Sequence, residues 1–466
     1  MRGKQLLALG GSLVMGIAGV ASADTAPSDT QMNAELETLK ARIAELEGQQ
    51  NQTWMTERRA EEVKTLIREV LSDAETRASL LQEGVTAGHN GEHFFLGGGD
   101  FLMEVSGQAQ VRYTYNFEDG VGTTGAASAN ADEDVAGFDI RRAKLQFAGH
   151  AHGVGYTFRI ASESTEPDAD TDLHLEVASL SYEVADGWTL SGGRMKAPFL
   201  REELTHSGHQ LAVERSLVNE QFTAGYVEGI SLAWDAHENA KLAMALTDGA
   251  RSGEQGTDTS FDDDNSDFAF TSRLDIRLAG DWSQKDDFTA WSGEETAAFL
   301  GAAVHYQKFE TGDSDTGATR TDDDFVAYTV DASVEHNNFG FYAAGIGLHT
   351  DDTSLDSYGA VFQANYLIDD KVEPFIRYEW IDPANNGPEA NLLTFGGNYY
   401  IDGHNAKFTL DMIWALNELS AATAGPLGGG SGFAGTRPAN AGTGLLADTA
   451  GDDGQLVVRG QFQLLF

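Results

Sequence analysis

The sequence predicts an all-β fold, a sixteen-stranded antiparallel transmembrane β-barrel preceded by an N-terminal helical, coiled-coil segment. Three observations carry that prediction. From Phe101 onward, short segments alternate apolar and polar residues with period two, the pattern of strands whose two faces meet different surroundings. No stretch after residue 23 approaches the roughly 18 consecutive apolar residues of a helical span, so only a closed barrel can cross a bilayer. The chain also stops on an aromatic residue, Phe466, inside one of these alternating segments.

Residues 1–23 read as a secretory signal peptide: Arg2 and Lys4, an apolar run from Leu6 to Val20, then Ala21-Ser22-Ala23. The run is too short to span a bilayer as a helix. Loss of Arg2 and Lys4 takes the formal charge from -43 to -45. A chain this acidic is not expected to bind nucleic acid, because phosphate contacts need clustered Lys and Arg. It contains no cysteine, which excludes disulfides, thiolate metal ligands and a cysteine nucleophile.

Residues 24–92 are expected to form a periplasmic helical or coiled-coil segment. Met32, Leu36, Leu39, Ile43 and Leu46 trace the a/d seam of a short coiled coil, which Gly48 ends. A second amphipathic stretch carries Val63, Leu66, Ile67, Val70, Leu71, Leu80 and Leu81. A seam this narrow suits a partner helix better than a broad core, although a single helix packed on the barrel is an equal alternative.

The barrel is expected over 95–466. In its opening strand Val105, Gly107, Ala109, Val111, Tyr113, Tyr115 and Phe117 face one way, and Ser106, Gln108, Gln110, Arg112, Thr114 and Asn116 the other. Lipid would meet the first set and water the second. The same reading gives strands near 101–117, 138–149, 154–163, 173–184, 188–196, 225–234, 240–248, 267–278, 299–308, 325–336, 338–348, 357–368, 372–381, 391–401, 406–417 and 455–466. Sixteen is the even number that bacterial single-chain barrels require. Long and short connections alternate between them, as outer loops and periplasmic turns should. One link breaks the rule: residues 279–298 are long where a short turn is expected. The last segment sets Leu456, Val458, Phe462, Leu464 and Phe466 against Gln455, Arg459, Gln461 and Gln463, and should pair with the first strand to leave no open edge in lipid.

Three clusters carry a resemblance to a known family. They are Gly137-Phe138-Asp139-Ile140-Arg141-Arg142-Ala143-Lys144-Leu145, Gly193-Arg194-Met195-Lys196-Ala197-Pro198-Phe199 with Glu202-Glu203-Leu204, and Glu214-Arg215-Ser216-Leu217. Together they resemble the phosphate-selective porin O and P family, over roughly residues 95–466. The resemblance implies homotrimers of sixteen-stranded barrels, with the loop after the fifth strand, here 197–224, folded into the lumen as a constriction.

By alternation, Arg112, Arg142, Lys144, Arg159, Arg194, Arg273, Arg377 and Arg459 are expected to line the lumen, and the resemblance puts Arg201 and Arg215 on the constriction loop. Such groups favour anions. Glu176, Glu228, Asp275, Asp331, Glu335, Glu379 and Asp411 fall on lumen positions too, so the lining is mixed. Each arginine has a plainer reading as half of an ion pair in the wall. The family commonly carries a basic residue in the stretch Gly225-Tyr226-Val227-Glu228-Gly229, which has none here, so passive diffusion is expected rather than phosphate specificity. The densest acidic runs, at 132–134, 262–264 and 322–324, fall in outer loops, and their repulsion of anions is screened by salt.

No Gly-x-Ser-x-Gly elbow, His-Glu-x-x-His or phosphate loop is present, so neither an enzyme nor a cofactor or metal is expected. The expected role is an outer-membrane porin for passive diffusion of small hydrophilic solutes and ions, with outer-membrane lipid as its surroundings. The rival is a structural anchor tethered to the cell wall through residues 24–92.

Overall fold

The computed structural model describes residues 85–117, 135–163, 173–252, 268–311, 321–351, 355–383, 389–419, 442–445 and 454–466, positions 92, 309, 323 and 418 excepted. The signal peptide and the helical reading up to residue 84 lie outside them. Residues 86–89 correct the C-terminal end of the helical segment. Thr86–His89 is a strand, paired antiparallel with Phe94–Gly98, and Gly88 and Gly91 interrupt any helical periodicity there.

Sixteen barrel strands follow: β1 Phe101–Asn116, β2 Val135–Ala151, β3 Val154–Glu163, β4 His174–Ala185, β5 Trp188–Lys196, β6 Tyr226–His237, β7 Ala240–Thr247 and β8 Phe268–Ala279. The second half comprises β9 Ala297–Lys308, β10 Phe325–His336, β11 Phe339–Thr350, β12 Leu355–Tyr366, β13 Val372–Asp382, β14 Ala390–Asp402, β15 Ala406–Ala415 and β16 Leu456–Leu465. Each pairs antiparallel with the next, and β16 pairs with β1 from Val457 opposite Asn116 to Leu465 opposite Gln108. The sheet is therefore closed. The terminal Phe466 exchanges two backbone hydrogen bonds with Gly107, at 2.7 and 3.1 Å, and a side chain at Gly107 would collide with its ring. Below that point the Phe94–Gly98 strand takes over as the partner of β1, so the hairpin sits at the same end of the barrel as the C-terminus.

Burial shows why these segments form a barrel in lipid. In β10 the exposed residues are Val326, Tyr328, Val330 and Val334, with His336 at the turn end, while Phe325, Ala327, Thr329, Asp331, Ser333 and Glu335 are buried. Apart from Phe325 and Ala327 at one end, apolar groups point out and polar groups point in, the inverse of a soluble sheet and the pattern a membrane barrel needs. Among the described residues no helix is long and apolar enough to cross a membrane. Val330→Arg, on the outer face near the middle of β10, should cost about 2–4 kcal/mol of folding stability in a bilayer; urea titration of protein refolded into vesicles measures it, and no loss would mean that this face does not meet lipid.

Short turns join the strands at one end. Asn337 and Asn338 both adopt left-handed backbone, φ 48° and 67°, and His152 and Gly153 do likewise at 54° and 80°, the two-residue form whose twist matches the flanking strands. The 280–296 link is the exception: it carries a 3-10 turn, Trp282–Asp286, capped by Asp281, and then a buried run in which Phe288 and Thr289 are 4 % and 0 % exposed.

Candidate constriction site

The long link between β5 and β6, residues 197–225, does not stay outside the barrel. It forms two short helices, α1 Arg201–Leu204 and α2 Leu217–Phe222, and nearly all of it is buried. A segment this polar is buried because the inward faces of the strands offer it partners. The Arg273 guanidinium donates to the Phe199 carbonyl at 2.7 Å, Arg377 to that of Glu214 at 3.0 Å and Lys407 to that of Gln210 at 2.6 Å. Backbone N–H groups are held as well: Val213 donates to Asp411 at 2.9 Å and Leu217 to Glu379 at 2.5 Å. The loop is thus stapled to β8, β13 and β15, across the lumen from its own roots.

Its central acid is Glu214. The carboxylate meets Arg141 at 2.6 Å, Arg142 at 2.8 Å and Arg112 at 3.6 Å, all nearly devoid of solvent. Burial pushes this carboxyl up, but the three guanidiniums outweigh it and hold the group below the ordinary carboxylate range. Strict alternation would send Arg141 into lipid. Instead the β1–β2 register shifts between Gln110 and Val111, and the bulge turns both arginines inward.

Within the loop, Glu202 accepts from the Ser216 N–H and hydroxyl at 2.6 and 2.5 Å. Glu203 faces Lys196 at 3.0 Å and Arg215 at 3.5 Å and accepts from Asn219 at 2.9 Å. Burial alone would raise Glu203, yet Arg215, Lys196 and Asn219 bring it down to about 2. Half-buried His206 is pushed well below its usual value by desolvation and by neighbouring His209 and Arg159, so it is neutral at pH 7.

Among the described residues, two water-accessible spaces adjoin this loop, both bordered by β2 and β3. A chamber of about 790 Å³ at the short-turn end is lined by residues that include His89, His93, Lys144, Arg159, His206, Lys285 and Phe466. A narrower space of about 40 Å³ is walled by Arg141, Arg142, Lys144, Arg159, Lys196 and Arg215, with Glu176, Glu203 and Glu220 as its carboxylates. Lys144, Arg159 and His206 border both.

A model of the family "Phosphate-selective porin O and P" matches residues 108–430. The chain belongs to that family. The porin is 23 % identical over 328 residues to an uncharacterized protein of Aquifex aeolicus strain VF5, covering 60 % of this chain and 76 % of the relative. Among solved structures it is similar to an anion-selective porin from Comamonas acidovorans, with a TM-score of 0.50 and 14 % identity, over 78 % of this chain and 99 % of that one. Pseudomonas putida OprB aligns with a TM-score of 0.49 at 8 % identity, over 78 % and 94 %. The family and the barrel make this an outer-membrane protein, a channel for solute diffusion.

The lining residues named from the sequence divide between two environments in the porin. Arg142, Lys144, Arg159 and Arg215 wall the narrow space, and Arg201 borders the chamber. Arg112 is bound to Asp139 at 2.5 Å, Arg273 to Asp275 and Asp331 at 2.7 and 2.9 Å, Arg377 to Glu379 at 2.8 Å and Arg459 to Asp411 at 2.7 Å, the wall ion pairs that were the plainer reading. Arg194 borders neither space and clamps Glu228 at 2.6 Å. Arg141 and Lys196 were missed: the first because of the bulge, the second because it ends β5 just as the loop begins. Among the described residues no group of His, Asp and Glu is arranged to hold a metal ion.

Proposed function

We propose that the narrow space beside the constriction loop is the permeation path and that it favours small anions without selecting phosphate. Its wall carries the argument: six cationic side chains against three carboxylates, in a setting where water screening is weak. Glu228, in the stretch where the family commonly has a basic residue, is tied to Arg194 away from this space, so no added cation stands there. Passage is passive, the working form is a homotrimer as the family implies, and the N-terminal segment lies in the periplasm. Attachment of the Thr86–Gly98 hairpin beside the C-terminus, at the short-turn end, supports that placement.

Reversal potentials in a planar bilayer under a potassium chloride gradient test the proposal. At 1 M salt, where the Debye length is roughly 3 Å and loop charges are screened, anion preference is expected. At low salt the acidic outer loops should weaken it. Cation preference at 1 M would reject the assigned path, and absence of conductance would favour an anchor.

A further inference from the structure

The link between β8 and β9 is the one turn-end connection too long for its task, and its contacts give it another. Residues 280–296 reach into the lumen and bind the inner faces of the opposite strands. Thr289 Oγ1 lies 3.3 Å from Glu373 and 3.2 Å from the Tyr400 hydroxyl. Asp287 receives Trp291 Nε1 at 2.9 Å and lies 3.0 Å from His404 Nε2. Phe288 packs on Tyr342 with ring centroids 4.8 Å apart. At its margin the Ser292 N–H donates to Asp370 and Asn338 donates to Ser292, so neighbouring turns hold the link in place.

Its upper surface carries the constriction loop. Arg201, 1 % exposed, directs Nη2 at the carbonyls of Lys285 and Asp287, at 3.4 and 3.5 Å, and Nη1 at Ser333. The same guanidinium lies over the rings of Phe288, Phe299 and Tyr342, at 5.3, 5.6 and 5.6 Å. His209 Nδ1 is 3.2 Å from the Asp286 carbonyl, and its ring stacks on His404 at 4.6 Å. A planar cation above an aromatic floor and between carbonyls is a specific seat, which lysine's point charge does not reproduce.

We propose that residues 280–296 are a second constriction element, inserted from the periplasmic side, which blocks the lumen beneath the loop on the side of β10 to β14 and holds the loop through the positioning residue Arg201. Between them the two segments confine flow to the side of β2 and β3, past Lys144 and Arg159. The idea rests on the pore reading above and adds that the pore's width and cation-lined route are set from below as well as from the outer loop.

The test uses the full chain in planar bilayers, with folding checked by heat-modifiable migration on gels. Replacing 280–296 by an Asp-Gly turn should roughly double single-channel conductance, raise the size of polyethylene glycol that enters the pore and reduce anion preference. Arg201→Ala should raise the polymer cut-off and current noise with the barrel intact, and Arg201→Lys should restore them only in part. A variant that conducts where the wild type does not would also support the plug. Should the turn replacement fail to fold, Arg201→Ala and Phe288→Ala decide alone. Folded variants with wild-type conductance and cut-off overturn the proposal while leaving the pore intact; silence from wild type and variants alike removes the pore reading and this one with it.

Discussion

Glu214→Ala is expected to lower the stability of the folded barrel by about 3–5 kcal/mol, the range for removing one partner of a buried ion pair, and to loosen the constriction loop. The size follows from what is left behind. Arg141, Arg142 and Arg112 converge on this carboxylate, and Arg141 and Arg142 are only 2 % and 4 % exposed. Glu214 is also where the loop crosses back to the β1–β2 wall, opposite its anchors on β13 and β15. Urea midpoints in vesicles and single-channel traces measure the two effects, and an unchanged midpoint with quiet traces would show that the loop is held elsewhere. Acid should imitate the variant only at extreme values. A carboxyl whose folded-state value is depressed stabilises above its unfolded value, near 4.5, and loses that contribution as pH falls from there through the folded-state value. The loop should therefore stay seated at pH 4.

This anchor was half legible in the sequence. The family-like clusters Asp139-Ile140-Arg141-Arg142 and Glu214-Arg215-Ser216 were visible as such, and the structure brings their charges together. What period two could not show was the side each arginine takes. Placing Arg142 inside sends Arg141 outward by alternation, although a cation on the lipid face near the midplane costs about 2–4 kcal/mol. An arginine doublet inside a strand is therefore itself a sign of a bulge. The sixteen strands were readable because outward apolar and inward polar residues alternate plainly, Val and Tyr against Thr, Asp and Glu in β10, and Phe462 and Leu464 against Arg459, Gln461 and Gln463 in β16. The loop's anchors across the lumen were not, since Arg273 and Arg377 meet the Phe199 and Glu214 carbonyls of a loop whose course no local pattern encodes. The 280–296 link was noticed only as a length anomaly, yet Trp282, Phe288 and Trp291 among acidic residues already mark a turn with something to bury.

The lining cations that pair with the wall instead of the constriction loop lead to the second large effect. Lys144 and Arg159 share one carboxylate, Glu176, with Arg159 at 3.3 Å, and they border both the narrow space and the chamber. An ion moving between the chamber and the narrow space passes both. Replacing both with glutamine leaves four cations against three carboxylates and leaves Glu176 without two of its partners. Each lost charge is worth on the order of 1 kcal/mol to a passing anion after screening, or about fivefold in permeability ratio, so the double variant should lose most of its anion preference. Conductance should change less, because glutamine keeps the bulk of the side chains. Arg194→Gln is the matching control: Arg194 is no farther from the constriction loop in sequence than Arg159, but it borders neither space, and its loss should leave the reversal potential where it was. If Arg194→Gln moved the reversal potential as far as the double variant, selectivity would reside in the charge of the whole lumen rather than in this wall, and the assigned path would fall. If only the double variant moves it, the solute passes Lys144 and Arg159, and the assigned path stands.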